Sequence, residues 1–110
     1  MSSRPPRLQI TADADGVMRL SGELDLEQMD AFVESAMASI DGQREIVFDL
    51  SQLTFLDSSG IRAIVGLAGR VPQGVVLRNP RDNVRRVLRI VDLESCPGIR
   101  VEQGDRQMSR

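Results

Sequence analysis

The chain has 110 residues, 41% hydrophobic and 27% charged, the balance of one soluble globular domain built on a single core. With no His and one Cys, it lacks the residues for imidazole acid–base chemistry, His-ligated metal sites or an internal disulfide. Its 14 basic residues are all Arg, the net charge is −2 and its only aromatics are 3 Phe, whereas a nucleic-acid binder carries a basic excess and stacking rings.

Charge is placed unevenly along the chain. Residues 1–57 carry 4 Arg against 11 acidic residues, and residues 58–110 carry 10 Arg against 5. No apolar run approaches the ~20 residues of a membrane-spanning helix. The arginines of Met1-Ser2-Ser3-Arg4-Pro5-Pro6-Arg7 are not followed by the apolar stretch of a secretory leader. The expectation is a cytoplasmic protein with neither membrane nor nucleic acid among its partners.

Residues 8–11 and 17–21 read as two short strands joined through Asp13-Ala14-Asp15-Gly16, whose residue types suit a hairpin turn. After Gly22-Glu23-Leu24-Asp25 a helical pattern begins. Leu26, Met29, Phe32 or Val33, Ala36, Met37 and Ile40 recur at spacings of three and four. Asp25 stands at the N-cap position and Asp41-Gly42 at the expected end. Glu45-Ile46-Val47-Phe48-Asp49-Leu50 has the composition of a central strand, and residues 51–57 read as a connection holding Leu53, Phe55 and Leu56. A second helix is predicted from about Ser58 to Gly69, with Ile61, Ile64, Val65 and Ala68 as its buried stripe and Leu67 beside it.

Pro72-Gln73-Gly74 reads as a turn and residues 75–77 as a strand. Asn79-Pro80 opens a third helix in which Val84, Val87, Leu88 and Val91 face the core. Arg81, Arg85, Arg86 and Arg89 lie off that stripe, as a solvated helix face or a secondary contact. Cys96, before Pro97, reads as a partly buried small residue in a loop. Residues 99–101 add a last short strand, and the polar tail from Glu102 is expected to fray. Strands alternating with helices after an opening hairpin imply an α/β domain. Its mixed sheet has four to five strands with helices packed on it, and its ordered core spans about residues 8–103.

Asp57-Ser58-Ser59-Gly60 heads the second helix. Asp57 or Ser58 caps it, and capping alone requires no further role. Gly60 is not explained by capping, because Gly in a first helical turn costs up to ~1 kcal/mol against Ala. Its missing Cβ would let another protein's backbone approach the neighbouring hydroxyl. An exposed Ser at this place is a sensible phosphate acceptor, since the helix dipole and free N–H groups favour a dianion. Arg62, on the next turn from Ser58, adds a partial counter-charge or is simply solvated.

Val47-Phe48-Asp49-Leu50-Ser51-Gln52-Leu53-Thr54-Phe55-Leu56-Asp57-Ser58-Ser59-Gly60-Ile61 resembles the signature of the STAS-domain anti-sigma factor antagonists. Leu20-Ser21-Gly22-Glu23-Leu24-Asp25 is similar to the family's upstream segment, and Asn79-Pro80 with Val84-Arg85-Arg86-Val87-Leu88 to its later strand-to-helix junction. The resemblance covers about residues 8–103. It implies a STAS-like α/β domain that is a kinase substrate rather than an enzyme, with no cofactor, catalytic residue or metal, monomeric when free. It places the phosphate acceptor at Ser58 and the partner-binding residues at Asp25, Asp57, Ser59, Gly60 and Arg62. The partners it implies are an anti-sigma factor serine kinase, which the unmodified protein binds so that a sigma factor is freed, and a PP2C-type phosphatase, which reverses the modification. The segment Gly69-Arg70-Val71-Pro72-Gln73-Gly74 is shorter than usual for the family, and Arg62 stands where many relatives carry a small residue. The alternative is a constitutive STAS scaffold in a stressosome-like or lipid-transport complex.

Overall fold

The computed structural model describes residues 8–103, apart from Ala14 and Asp41. Its elements follow in the order β1 (Leu8–Ala12), β2 (Met18–Leu24), α1 (Met29–Ser39), β3 (Ile46–Leu56), α2 (Ser58–Ala68), β4 (Val75–Arg78), α3 (Asp82–Ile90) and β5 (Ile99–Glu102). Single 3-10 turns at Leu26–Gln28 and Leu93–Ser95 precede α1 and β5. The strands lie in one sheet in the order β1-β2-β3-β4-β5. The β1–β2 pair is antiparallel and the others are parallel. This is the mixed α/β sheet with an opening hairpin that the alternation of patterns implies, at its upper count of strands.

The hairpin turns where residue chemistry favours it. Asp13 Oδ1 accepts from the N–H groups of Asp15 (2.9 Å) and Val17 (3.1 Å), and Gly16 takes a φ of 85°, open to a residue without a Cβ. Strand register then sorts side chains between two faces. Leu20, Phe48, Leu77 and Ile99 point to the face where Phe32 of α1, Ile64 of α2 and Val84 and Leu88 of α3 complete one core. The Phe32 and Phe48 rings lie 5.3 Å apart in a tilted pair. Alternate strand positions form a polar face, tied across strands by Arg19–Asp49 (3.4 Å), Arg100–Glu45 (2.8 Å) and Arg78–Glu102 (3.7 Å).

Strand β3 departs most from its sequence reading. It does not stop at Leu50 but runs on to Leu56, through the segment expected to be a connection. Its buried residues are Ile46, Phe48, Leu50, Leu53 and Leu56, spaced by two and then by three. A regular pleat would send Leu53 to the polar face. Two irregularities on the β2–β3 ladder absorb the difference, where Arg19↔Asp49 gives way to Ser21↔Gln52, and Gly22↔Leu53 to Glu23↔Phe55. The backbone freed at these bulges is satisfied locally. Asp49 Oδ1 accepts from Ser51 N–H (2.9 Å), Arg81 donates to the Ser51 carbonyl (3.3 Å), and Asn83 donates to the Thr54 carbonyl (2.9 Å).

Smaller differences have equally local causes. Gly22-Glu23-Leu24 belongs to β2. The helical residue pattern begins with the 3-10 turn, and Leu26 is 71% exposed rather than part of the buried stripe, which in α1 is Phe32 and Ala36. In α2 the buried residues are Gly60, Ile64, Leu67 and Ala68, with Ile61 half-buried and Val65 exposed. Asn79 has a φ of 58° and Arg81 is extended, so α3 starts only at Asp82, two residues after the Asn79-Pro80 pair. It ends at Ile90, which leaves Val91 exposed beyond it. Asp41, Ala14, residues 1–7 and the tail beyond Gln103 lie outside the described residues, whereas Glu102 is the last residue of β5. No described helix is long and apolar enough to cross a membrane.

Candidate functional site at the head of the second helix

The site is made by two parallel strands that end together. Leu24 of β2 and Leu56 of β3 are partners in the ladder, and Asp57 N–H donates to the Leu24 carbonyl (3.4 Å). Asp25 and Asp57 therefore leave the sheet on adjacent strands, ~5 Å apart in backbone. Each then caps a helical turn. Asp25 Oδ1 accepts from Glu27 N–H (3.1 Å) and heads the 3-10 turn before α1. Asp57 Oδ1 accepts from Ser59 N–H (2.9 Å) and Gly60 N–H (3.2 Å) and heads α2.

The capping choice left open by the sequence is thus settled for Asp57, and Ser58 is the first helical residue. Ser58 is exposed, and its hydroxyl makes no hydrogen bond among the described residues. Two of the N–H groups that the sequence reading reserved for a phosphate are already taken by Asp57. A negative group on Ser58 would instead stand beside the Asp57 carboxylate. Ser59, one residue on, is half-buried and turned toward α1.

Gly60 is buried, and the reason lies inside the domain. A Cβ placed there would come within 2.5 Å of Leu56 Cδ1 and 3.0 Å of Leu24 Cγ. Both leucines belong to the core, at 4% and 0% exposure, so the first turn of α2 packs this closely on the strand ends with residue 60 as glycine, and a side chain there would have to displace them. Arg62 is exposed and forms no ion pair among the described residues. It lines, with Leu26, Met29, Val33, Ser59 and Ala63, a shallow and mainly apolar hollow of about 280 Å³ between α1 and α2. Leu26 in that lining is 71% exposed, and Phe55, three residues before Ser58 in the chain, is 45% exposed. By sequence pattern Leu26 belongs to the helical stripe and Phe55 to a connection. For Phe55 the signal is the three-residue spacing of Leu50, Leu53 and Leu56, which announces bulges and leaves Phe55 facing outward.

Asp49, within the same signature segment, has a supporting task. Burial opposes its charge, but the Ser51 backbone N–H and hydroxyl and the Arg19 guanidinium outweigh it and hold the carboxyl below the ordinary 3.8. A carboxyl whose pKa is lowered on folding contributes stability above its unfolded pKa and loses it as pH falls through the folded value. Asp49→Asn is therefore expected to cost about 0.5–1 kcal/mol at neutral pH, because solvent screens part of the charge interaction with half-exposed Arg19. In urea titrations the gap between wild type and variant should close below the unfolded Asp pKa of about 3.9. A gap that is unchanged at low pH would mean that the charge on Asp49 is not what anchors the bulge.

A family model described as Mlab, STAS domain, matches residues 9–101. A search of curated proteins by sequence finds no match. Among solved structures, the chain superposes on the anti-sigma factor antagonist SpoIIAA in its unphosphorylated form with a TM-score of 0.65 and 25% identity, covering 94% of each chain. It is similar in fold to an anti-sigma factor antagonist from Mycobacterium paratuberculosis, at a TM-score of 0.70 and 24% identity over 84% of this chain and 83% of that one. It is similar in fold also to the Bacillus cell fate determinant SpoIIAA in the phosphorylated form, at 0.58 and 22% over 94% and 97%. With a family match over almost the whole described length and a five-stranded mixed sheet carrying three helices, the chain belongs to the STAS domain family and has the fold of the anti-sigma factor antagonists.

Proposed function

We propose that this protein is an anti-sigma factor antagonist switched by phosphorylation of Ser58. In its unmodified form it binds an anti-sigma factor serine kinase and thereby frees a sigma factor. Modification of Ser58 ends that binding, and a PP2C-type phosphatase restores it. The observation that carries this reading is the state of Ser58, an exposed hydroxyl with no hydrogen-bond partner among the described residues, fixed at the first position of a capped helix beside the apolar hollow that Leu26 and Ser59 line. Asp25, Asp57, Ser59 and Arg62 lie around it as partner-binding residues, and Gly60 fixes the backbone on which they stand. SpoIIAA, with which the chain shares 25% identity, is known in unphosphorylated and phosphorylated forms, which supports carrying the switch over. No step of the switch asks this chain for catalysis, and the setting in which sigma factors act is the cytoplasm.

Incubation with an anti-sigma factor kinase and ATP, followed by peptide mass spectrometry, tests the acceptor directly. The expected outcome is a single phosphate on Ser58. Modification confined to Ser59 would move the site, and no modification by any such kinase would remove the switch.

One finding favours a second reading. The matching family model bears the description Mlab, STAS domain, rather than that of an anti-sigma factor antagonist. A constitutive scaffold or interaction subunit, in a stressosome-like or lipid-transport complex, would use the same apolar surface and have no need of a phosphorylatable hydroxyl. On that reading, Ser58→Ala and Ser58→Asp bind the partner equally.

A further inference from the structure

The outer edge of α3 carries a feature that the Ser58 switch does not use. Arg85 and Arg89 lie one helical turn apart, with Arg86 between them, and like charges at this spacing repel. Only Arg85 is paired, through its terminal nitrogen to Asp82 Oδ1 at 3.0 Å. Arg86 and Arg89 have no ion pair among the described residues. The Nε of Arg85 is buried and has no hydrogen-bond partner among the described residues. A buried guanidinium N–H left without an acceptor is costly, because a charged donor has lost its water.

Two cavities meet at these arginines. One, of about 180 Å³, is lined by Asp82, Arg85, Arg86 and Arg89 alone. The other, of about 290 Å³, shares Arg85 and Arg89 and continues over Leu88, Leu93 and Val101 toward Asp92 and Glu94. Guanidinium groups present planar donor pairs that match oxyanions, and a dianion held by the terminal nitrogens of Arg85, Arg86 and Arg89 would relieve the repulsion. Beyond the arginines, the apolar floor suits a small organic body, and the two carboxylates suit hydroxyl or amine groups on it.

We propose that the Arg85–Arg89 edge of α3 binds a phosphate group, free or carried on a small hydroxylated phosphate monoester or a lipid headgroup. The Arg85 Nε–H signal, followed in ¹⁵N-correlated NMR spectra of the whole chain, reports on the site directly. Titration with inorganic phosphate and with glycerol 3-phosphate should shift it saturably, the ester binding more tightly. Arg89→Gln, at an exposed position, should weaken binding roughly tenfold or more. Arg85→Lys, which keeps the charge and loses the planar guanidinium, should weaken it too, read in that variant from the backbone amide signals of α3. Arg44→Gln should leave it unchanged, and an unaltered amide spectrum shows that each variant folds. Sedimentation with phosphatidic acid vesicles, against phosphatidylcholine alone, separates the sources. Capture by the acidic vesicles without a response to free phosphate supports the site and places the phosphate on a lipid. No response to either soluble phosphate together with no capture by the acidic vesicles, or a response or capture that is equal in the Arg89→Gln variant, overturns the proposal.

Discussion

Ser58→Asp is expected to lower affinity for the anti-sigma factor kinase by about three orders of magnitude, while Ser58→Ala keeps it. The size follows from electrostatics at the head of α2. Asp57 presents its carboxylate there, held in place by the two N–H groups that it caps. A second negative charge ~4 Å away repels it by about 4 kcal/mol at an effective dielectric of 20. In the free protein, water and the positive end of the helix dipole screen much of that. Inside an interface that screening is lost, and about 4 kcal/mol corresponds to ~10³ in dissociation constant. Phosphoserine, at roughly −1.5 to −2 charges, should do at least as much.

The occupied capping groups sharpen this expectation. Had the N–H groups of Ser59 and Gly60 been open, a phosphate on Ser58 would have folded back onto them and been partly neutralised. Because Asp57 already fills them, the added charge must face outward, where a partner would sit. Isothermal titration of the kinase with wild type and the two variants measures the effect. Raising salt should not restore tight binding of Ser58→Asp if the charge is buried in the complex. Equal affinities for the Ala and Asp variants would defeat the switch and leave the scaffold reading in its place.

Gly60→Val carries the second large effect, here on stability. Valine would put three carbons where a single Cβ already meets Leu56 Cδ1 at 2.5 Å and Leu24 Cγ at 3.0 Å. Both leucines are buried in the core, so a shift of either disturbs close-packed neighbours. Overpacking of this kind costs about 1–3 kcal/mol, and the β-branched residue in the first helical turn adds to it, so ~3 kcal/mol is expected. Gly60→Ala is the finer test. Alanine gains up to ~1 kcal/mol of helix propensity, yet should still come out destabilising by ~1 kcal/mol, because the clash is the larger contribution. Urea denaturation of both variants provides the measurement. An Ala variant as stable as wild type would mean that the strand ends yield easily and that the glycine answers to something outside the domain.

How far the sequence reaches can be judged from these same residues. The order of strands and helices was readable, because hydrophobic spacing switches between two and three-to-four wherever the backbone does. The position of Ser58 at a helix start was readable too, since Asp and Ser preferences there arise from local backbone geometry. The extent of β3 was not. Its period breaks at two bulges, and a bulged strand with apolar residues every third position imitates a loop. Leu26, Val65 and Val91 were misplaced for a related reason. A helical stripe tells which residues share a side, but not how far around the helix the neighbouring elements reach.

By itself, then, the sequence determined the α/β alternation, the capped helix start with Ser58 in its first turn, and the uneven placement of charge, all of which depend on residues near one another in the chain. Only the tertiary structure decided what Gly60 is for, because Leu24 lies far from it in sequence and meets it only after β2 and β3 have paired. The same pairing sets Asp25 beside Asp57, and packing of α3 against β3 brings Asn83 and Arg81 to the bulge carbonyls. Each of these contacts joins segments separated by whole elements, and no local preference encodes them.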